Sequence, residues 1–263
     1  LLILVIPLGV LGAAIATLIA QAVSAVLVTV TLMYRTEGMK LCLSQIRMYK
    51  RMLQSILKIG LPAGFEAIMY SISNIIVQVS INNFGVDTMA AWTAYSKIDF
   101  IFWMINSAFG ISVMTFVGQN YGAGKWDRIR RGTKICLGMA LISAVSVSII
   151  LMSAERFLFG IFVNDAGVVE IGIRMMNVIA PAYLLFAFIE VFSGALRAQG
   201  AVVVSTLITM VGICVLRMIW VTLVAAHGTL EQVIICYPIT WAAGALAMSI
   251  YYIYKQRKIF QAR

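Results

Sequence analysis

Charge is scarce in this sequence. Asp, Glu, Lys and Arg together make up 11% of 263 residues, too few to hold a domain of that size in water. Histidine occurs once, as His227, which leaves no zinc constellation and no Ser/His/Asp arrangement for hydrolysis. The four cysteines, Cys42, Cys136, Cys214 and Cys236, are far apart and form no CxxC, so they are expected to be buried small apolar side chains. A phosphate-binding loop is missing too. The stretch GQNYGAGKWDRIRRG (118–132) sets glycine beside lysine, but Gly118 and Gly124 enclose five residues, and Trp126 stands where a Ser or Thr would meet magnesium.

What the chain does have is apolar surface: 62% of its residues are hydrophobic and the mean hydropathy is +0.98. A hydrocarbon core of about 30 Å takes roughly 20 apolar residues per helix. Such stretches lie near 10–34, 59–82, 87–118, 133–153, 171–196, 202–226 and 231–254. The expected fold class is all-α, a polytopic transmembrane helical bundle. Residues 1–7 read as the end of a further helix, and with no initiator Met a fragment of a longer polypeptide is expected. The apolar start lacks the basic region and cleavage site of a signal peptide.

The bases give the bundle a direction. Arg35, Lys40, Arg47, Lys50, Arg51 and Lys58 share one connection, Lys125, Arg128, Arg130, Arg131 and Lys134 another, and Arg197 falls in a third; Lys255, Arg257, Lys258 and Arg263 form the tail. These segments alternate with base-poor turns around 82–87, 153–170 and 226–231. By the positive-inside rule the basic set, including the C-terminus, is cytoplasmic. The net charge of +10 then calls for anionic headgroups of the lipid bilayer rather than nucleic acid. GQNYGAGKWDRIRRG becomes a cytoplasmic turn in which glycine permits a tight backbone path. The segment SQIRMYKRMLQSILK (44–58) places Ile46, Tyr49, Met52, Leu53, Ile56 and Leu57 on one helical face and its bases toward the other. Two readings of it stand: an interfacial helix on the inner leaflet, or an extension of the following membrane helix.

Polar residues at membrane depth carry the functional signal, because each charge there costs at least ~2.5–3.5 kcal/mol on insertion scales unless it faces protein or water. In GLPAGFEAIMYSISNIIVQVSINN (60–83), Glu66, Tyr70, Asn74, Gln78 and Asn82 recur every four residues, with Ser73 beside them. They form one stripe along an otherwise apolar helix, as a hydrated cavity would require. The alternative is a row of interhelical hydrogen bonds. Pro62 removes a backbone donor, so a kink is expected below Glu66, which lies about 12 Å into the membrane counting from Lys58. Lys97 and Asp99 sit about 15–18 Å from the outer end of their helix. Being two apart they do not face each other, and Glu66 is a candidate partner for Lys97. Glu190, about 10 Å from the cytoplasmic end, matches the depth of Glu66. Arg174 and Arg217 are read as structural, near outer helix ends from which they can snorkel.

Four segments in this order, PLGVLGAAIAT (7–17), GLPAGFE (60–66), VGQNYGAGK (117–125) and SGALRAQG (193–200), together resemble the multidrug and toxic compound extrusion (MATE) family of antiporters over essentially the whole chain. The resemblance implies two six-helix lobes related by a pseudo-twofold along the membrane normal. Residues 1–34 would then be the end of the fifth helix and the sixth helix of the N-terminal lobe. Residues 35–58 would be the cytoplasmic amphipathic inter-lobe connection, 59–256 the C-terminal six-helix lobe and 257–263 a basic cytoplasmic tail. It implies as partner the remainder of the N-terminal lobe, and as location a bacterial cytoplasmic membrane. It also implies export of an amphipathic or cationic organic small molecule in exchange for Na+ or H+, with no other cofactor.

Glu66 matches the family acid that follows GLP. A further family acid falls at Phe186, so Glu190 is a departure by one helical turn, and Ala198 replaces the glycine of the usual LRG. The residues expected to bind the coupling cation or the substrate are Glu66, Tyr70, Asn74, Gln78, Lys97, Asp99 and Glu190. Two alternatives remain open. A flippase for lipid-linked saccharides would need a more cationic cavity than Lys97 alone provides. An intramembrane lipid-acting enzyme would use Asp99 and Glu66 as acid and base.

Overall fold

The computed structural model describes residues 9–34, 41–42, 44, 46–224 and 228–261. Residues 1–8, part of the 35–58 connection, and His227 lie outside them. The chain divides into two compact units, Leu1–Ser55 and Ile56–Arg263. In the first, α1 (Gly9–Tyr34) is a single helix of uniformly apolar character. Its hydroxyls are satisfied within the helix: Thr17 donates to the Ala13 carbonyl at 2.9 Å and Thr29 to that of Ala25 at 2.7 Å, which a span in lipid requires.

The second unit is built from α2 (Lys50–Asn82, whose first turns fall in the first unit), α3 (Val86–Gly122), α4 (Trp126–Ser153), a short α5 (Glu155–Phe162), α6 (Ala166–Ile179) and α7 (Tyr183–Ala198). After these come α8 (Val202–Thr209), α9 (Leu216–Ile219), α10 (Leu230–Ile234) and α11 (Cys236–Gln261). Wide π-helical turns, Met210–Val215 and Trp220–Val224, join α8 to α9 and extend it. Seven helical segments of the described residues are long and apolar enough to span a membrane, at the places hydropathy predicts. The chain is a multi-pass helical bundle of the expected class.

Sequence chemistry fixes the turns. At the end of α3, Gly124 takes φ +67°; its N–H donates to the Tyr121 carbonyl at 3.1 Å, and the Lys125 N–H to that of Asn120 at 2.8 Å. At the end of α7, Gly200 takes φ +79°, with the same pair of bonds from Gly200 to Arg197 and from Ala201 to Leu196. Both are Schellman caps, in which a left-handed residue lets the last carbonyls find donors. The glycines of GAGK and RAQG therefore terminate helices.

One expectation is corrected and two others gain detail. Of the two readings of 44–58, the described residues favour the second over part of its length: 46–49 are not helical, and the helix that begins at Lys50 runs unbroken through Lys58 and Pro62 to Asn82. The span expected at 171–196 is present as Ala166–Ala198, with a local 3-10 turn at Ala180–Ala182, where Pro181 cannot continue the α ladder; the Ala180 carbonyl there accepts from Ser148 Oγ of α4 at 2.9 Å. Cys42 is exposed and Cys136 half-buried, while Cys214 and Cys236 are buried as expected.

Burial is uneven. Of the apolar window in the α6–α7 span 67% is buried, against 17% in α2, so α7 is the axis of the unit and α2 its least packed helix. The α3–α7 crossing depends on two glycines: a Cβ on Gly194 would lie 2.8 Å from the Gly110 carbonyl oxygen and 2.9 Å from Val113 Cγ1. Close approach of small residues is how membrane helices gain packing without a hydrophobic driving force. Gly194→Ala is expected to lower stability by about 1–3 kcal/mol through overpacking. Gly138→Ala, whose Cβ meets nothing within 4 Å, should not. Thermal midpoints in detergent check this, and equal midpoints would mean that α3 and α7 can separate without cost.

Candidate functional site

The polar stripe of α2 faces two cavities. Glu66 and Tyr70 line one of ≈ 320 Å³; Tyr70, Asn74 and Gln78 line another of ≈ 500 Å³. Tyr70 belongs to both, and its hydroxyl has no hydrogen-bond partner among the described residues. Asn82 closes the stripe, accepting from Gln78 Nε2 at 2.8 Å.

In the first cavity Glu66 is paired, but with a base that sequence depth assigns to a cytoplasmic connection. Arg197 Nη2 donates to both carboxylate oxygens, at 2.7 and 2.8 Å, and Thr206 Oγ1 donates at 3.0 Å. Arg197 is held in turn, its Nε donating to Ser193 Oγ at 3.0 Å and Ser193 sharing a 2.9 Å hydrogen bond with Ser205. The expected Glu66–Lys97 pair is therefore corrected: Lys97 is exposed on α3 and lines neither cavity. Arg197 takes its place because it lies on α7 one turn after Ser193 and two after Glu190, a single face that the spacing shows. Its long side chain can turn inward as readily as outward.

Glu190 lines the same cavity as Glu66, as their matched depth suggests. No hydrogen bond or ion pair satisfies it among the described residues. Gly110 makes room for it, since a Cβ there would overlap the Glu190 carboxyl. Phe186 also lines this cavity, one turn along α7, so the one-turn displacement of the acid leaves it facing the same space. With Glu66 and Arg197 compensating each other, the cavity keeps one formal negative charge.

The second cavity is an aromatic chamber around Asp99. Trp92, Tyr95, Asp99 and Trp103 recur at three- and four-residue intervals on α3, and Tyr237 and Trp241 face them from α11. The Asp99 carboxylate accepts from Trp103 Nε1 at 2.6 Å and from Tyr183 Oη at 2.5 Å. Tyr183 stacks on Phe102 with centroids 3.9 Å apart and shares a 3.1 Å hydrogen bond with Tyr95. Trp103 meets Phe186 edge-on at 4.6 Å. Asp99 and Glu66 line separate cavities, so they do not form the acid–base pair of the enzyme alternative.

Arg217 is a second correction. It is 0% exposed, not a snorkelling residue. Its Nη1 donates to Asn74 Oδ1 of α2 at 3.0 Å, and its guanidinium lies 4.2 Å from the Tyr237 ring centroid and 5.6 Å from that of Tyr70. No carboxylate pairs with it among the described residues. Arg174, by contrast, pairs with Glu231 at 3.6 Å where both are exposed, as a helix end allows. Lys97 is thus not the sole base at depth, yet one added guanidinium is neutralised by Glu66 and the other is sealed behind aromatic rings.

Comparison with known proteins bears out the family and the fold. The sequence profile of the MatE family matches residues 62–223. The probable multidrug resistance protein YoeA of Bacillus subtilis (strain 168) is 25% identical over 260 residues, 96% of this chain and 56% of that protein. The multidrug export protein MepA of Staphylococcus saprophyticus subsp. saprophyticus is 23% identical over 232 residues, 83% of this chain and 51% of that one. The chain thus spans little more than half the length of these curated relatives. A solved structure described as the outward-facing conformation of a multidrug resistance MATE family transporter of the MOP superfamily superposes with a TM-score of 0.89. That likeness holds at 18% identity over 99% of this chain and 59% of the other, and it concerns the fold. The profile match takes in the stripe of α2, Asp99 and the α3 side of its chamber, the Glu66–Arg197 pair and Arg217, though not Tyr237 and Trp241 of α11, and the chain belongs to the MatE family.

Proposed function

We propose that the chain supplies the C-terminal lobe of a secondary active efflux transporter, which exports amphipathic or cationic organic compounds in exchange for Na+ or H+. The observation that carries this reading is that Glu66 and Glu190 share one membrane-depth cavity with a single guanidinium between them. A carboxylate without a compensating partner at that depth is costly, and it is relieved by taking up a proton or a monovalent cation. Glu190, rather than the already paired Glu66, is the residue this favours as first acceptor. Glu66 then senses the arrival, because Arg197 is near enough to divide its charge between the two acids.

The aromatic chamber suits the organic cation. Flat indole and phenol faces attract a cation whose charge is spread or alkylated, and Asp99 supplies the counter-charge. Tyr70, common to both cavities, allows a change in one to be felt in the other, and alternating access would move α2 against the remainder of the lobe. The names of the relatives, which speak of multidrug resistance and export, accord with this reading. The flippase alternative is disfavoured because the acids that remain uncompensated, Glu190 and Asp99, would repel a pyrophosphate.

Two outcomes are expected in vesicles carrying the complete gene product and loaded with a fluorescent cationic dye. Glu190→Gln should reduce gradient-driven efflux by about tenfold, about 1.4 kcal/mol. Glu66→Gln should do likewise, because it frees Arg197 to neutralise Glu190. The double variant should be no worse than the more severe single one, as residues of one site behave; losses that simply multiply would show that the two acids act apart. Imposing sodium and proton gradients separately identifies the coupling ion. Asp99→Asn should weaken dye binding by about three- to tenfold, the scale of a desolvated cation–π and charge contact. The ion dependence should stay unchanged, and unaltered dye affinity would remove Asp99 from the substrate site.

A further inference from the structure

Away from the two cavities of α2, the base-bearing ends of α4 and α11 enclose a space of ≈ 340 Å³, lined by Arg130, Lys134, Tyr252, Ile253, Gln256 and Arg257. Arg130 and Lys134 stand four apart on one face of α4, and Arg257 faces them from α11. No carboxylate is among the residues that line this space. Tyr252 is only 8% exposed. Its ring is fixed by stacking on Phe192 of α7, with centroids 4.5 Å apart, and its hydroxyl has no hydrogen-bond partner among the described residues.

The surroundings place this space at headgroup level. Gln256 Nε2 donates to Gln199 Oε1 at 3.0 Å, and Lys255 Nζ donates to the Gln199 carbonyl at 3.0 Å, so the floor of the space is tied to the Schellman turn that ends α7. In the other direction α11 presents Ile253, Ile250 and Leu246, 50%, 59% and 64% exposed, an apolar track along which acyl chains can lie. Convergent bases at one end and exposed aliphatic side chains at the other match an amphiphile with an anionic head. Basic pockets between membrane helices on the positive side are suited to such lipids.

We propose that this space binds the phosphate of an anionic phospholipid. Arg130, Lys134 and Arg257 supply the charge, the Tyr252 hydroxyl donates a hydrogen bond, and the lipid joins α4 to α11 beside the end of α7. Free inorganic phosphate has the same headgroup chemistry but no chains to fill the apolar track. The inference rests on the membrane reading alone and does not depend on transport.

The test is lipid binding to the delipidated, detergent-solubilised protein, read by native mass spectrometry. It compares phosphatidylglycerol with phosphatidylcholine of identical chains, and separately with inorganic phosphate. Phosphatidylglycerol is expected to bind at least tenfold more tightly than phosphatidylcholine. R130Q/K134Q/R257Q should abolish that preference, the charge-conserving R130K/K134R/R257K should keep it, and Tyr252→Phe should weaken it two- to fivefold. R128Q/R131Q, which removes two bases of α4 outside the space, should leave it intact. If the triple glutamine variant does not fold, Arg257→Gln and Tyr252→Phe decide alone. The proposal is overturned if wild type binds both lipids equally, if R128Q/R131Q loses as much as the triple variant, or if inorganic phosphate binds as tightly as phosphatidylglycerol.

Discussion

The ion pair between Glu66 and Arg197 is the contact on which the position of α2 depends. The other spans of the larger unit bury more of their apolar surface, and α3 and α7 approach closely at Gly110 and Gly194. In α2 only Ser73, Val77 and Ile81 are buried, and Glu66 at one level and Asn74 at another supply polar anchors to α7, α8 and α9. Breaking a buried ion pair by removing one partner typically costs about 3–5 kcal/mol. Here the figure is smaller, because the Arg197 side chain keeps 28% of its surface exposed. A helix held by a few strong, titratable or displaceable contacts can shift when one of them is neutralised, whereas a helix held by interdigitated apolar side chains cannot.

Arg217 poses the opposite problem, a cation sealed inside the bundle with no carboxylate beside it. Its charge is met by one carboxamide oxygen, from Asn74, and by the faces of Tyr237 and Tyr70. Nε and Nη2 make no hydrogen bond among the described residues. Ring faces supply a diffuse negative potential that an isolated ammonium would exploit less well than a flat guanidinium. The π-helical turns on both sides of α9 are of the kind that often marks functional sites in helices, and they bracket this residue. The same two tyrosines that compensate Arg217 also line cavities, Tyr237 the aromatic chamber and Tyr70 both, so the buried cation is one ring away from each.

The spans were legible because lipid demands about 20 apolar residues per crossing, a pattern long enough to survive local irregularity. The stripe of α2 was legible for the same reason in reverse: five polar residues at a period of four stand out against Ile, Val and Met. The partners of those residues were not legible. Depth counted along Cα positions places Arg197 at a helix end and says nothing of whether its guanidinium turns to water or to Glu66. For Arg217 the count along one helix is silent about the neighbouring helices that cover it. The aromatic chamber was partly visible in the spacing of Trp92, Tyr95, Asp99 and Trp103, but Tyr183, Tyr237 and Trp241 come from sequence segments that only the tertiary fold brings together. The 3-10 turn at Ala180–Ala182 could have been suspected from Pro181 alone.

Taken as electrostatics, the lobe has a simple asymmetry. The cavity of Glu66 and Glu190 carries two acids and one base, and the chamber of Asp99 carries one acid whose oxygens already accept from Trp103 and Tyr183. Each space therefore has one formal negative charge to offer a cation. At the distances between adjacent cavities, interactions through a low-dielectric interior remain substantial. Arg217 stands close to the shared wall and offsets part of the combined negative charge. In the exchange proposed above, a cation entering either space would lower the attraction of the other, and this mutual exclusion would be its electrostatic condition. It would arise from three carboxylates and two guanidinia held at fixed depths, and it would set no demand on the shape of an organic substrate beyond its charge and its fit among the rings.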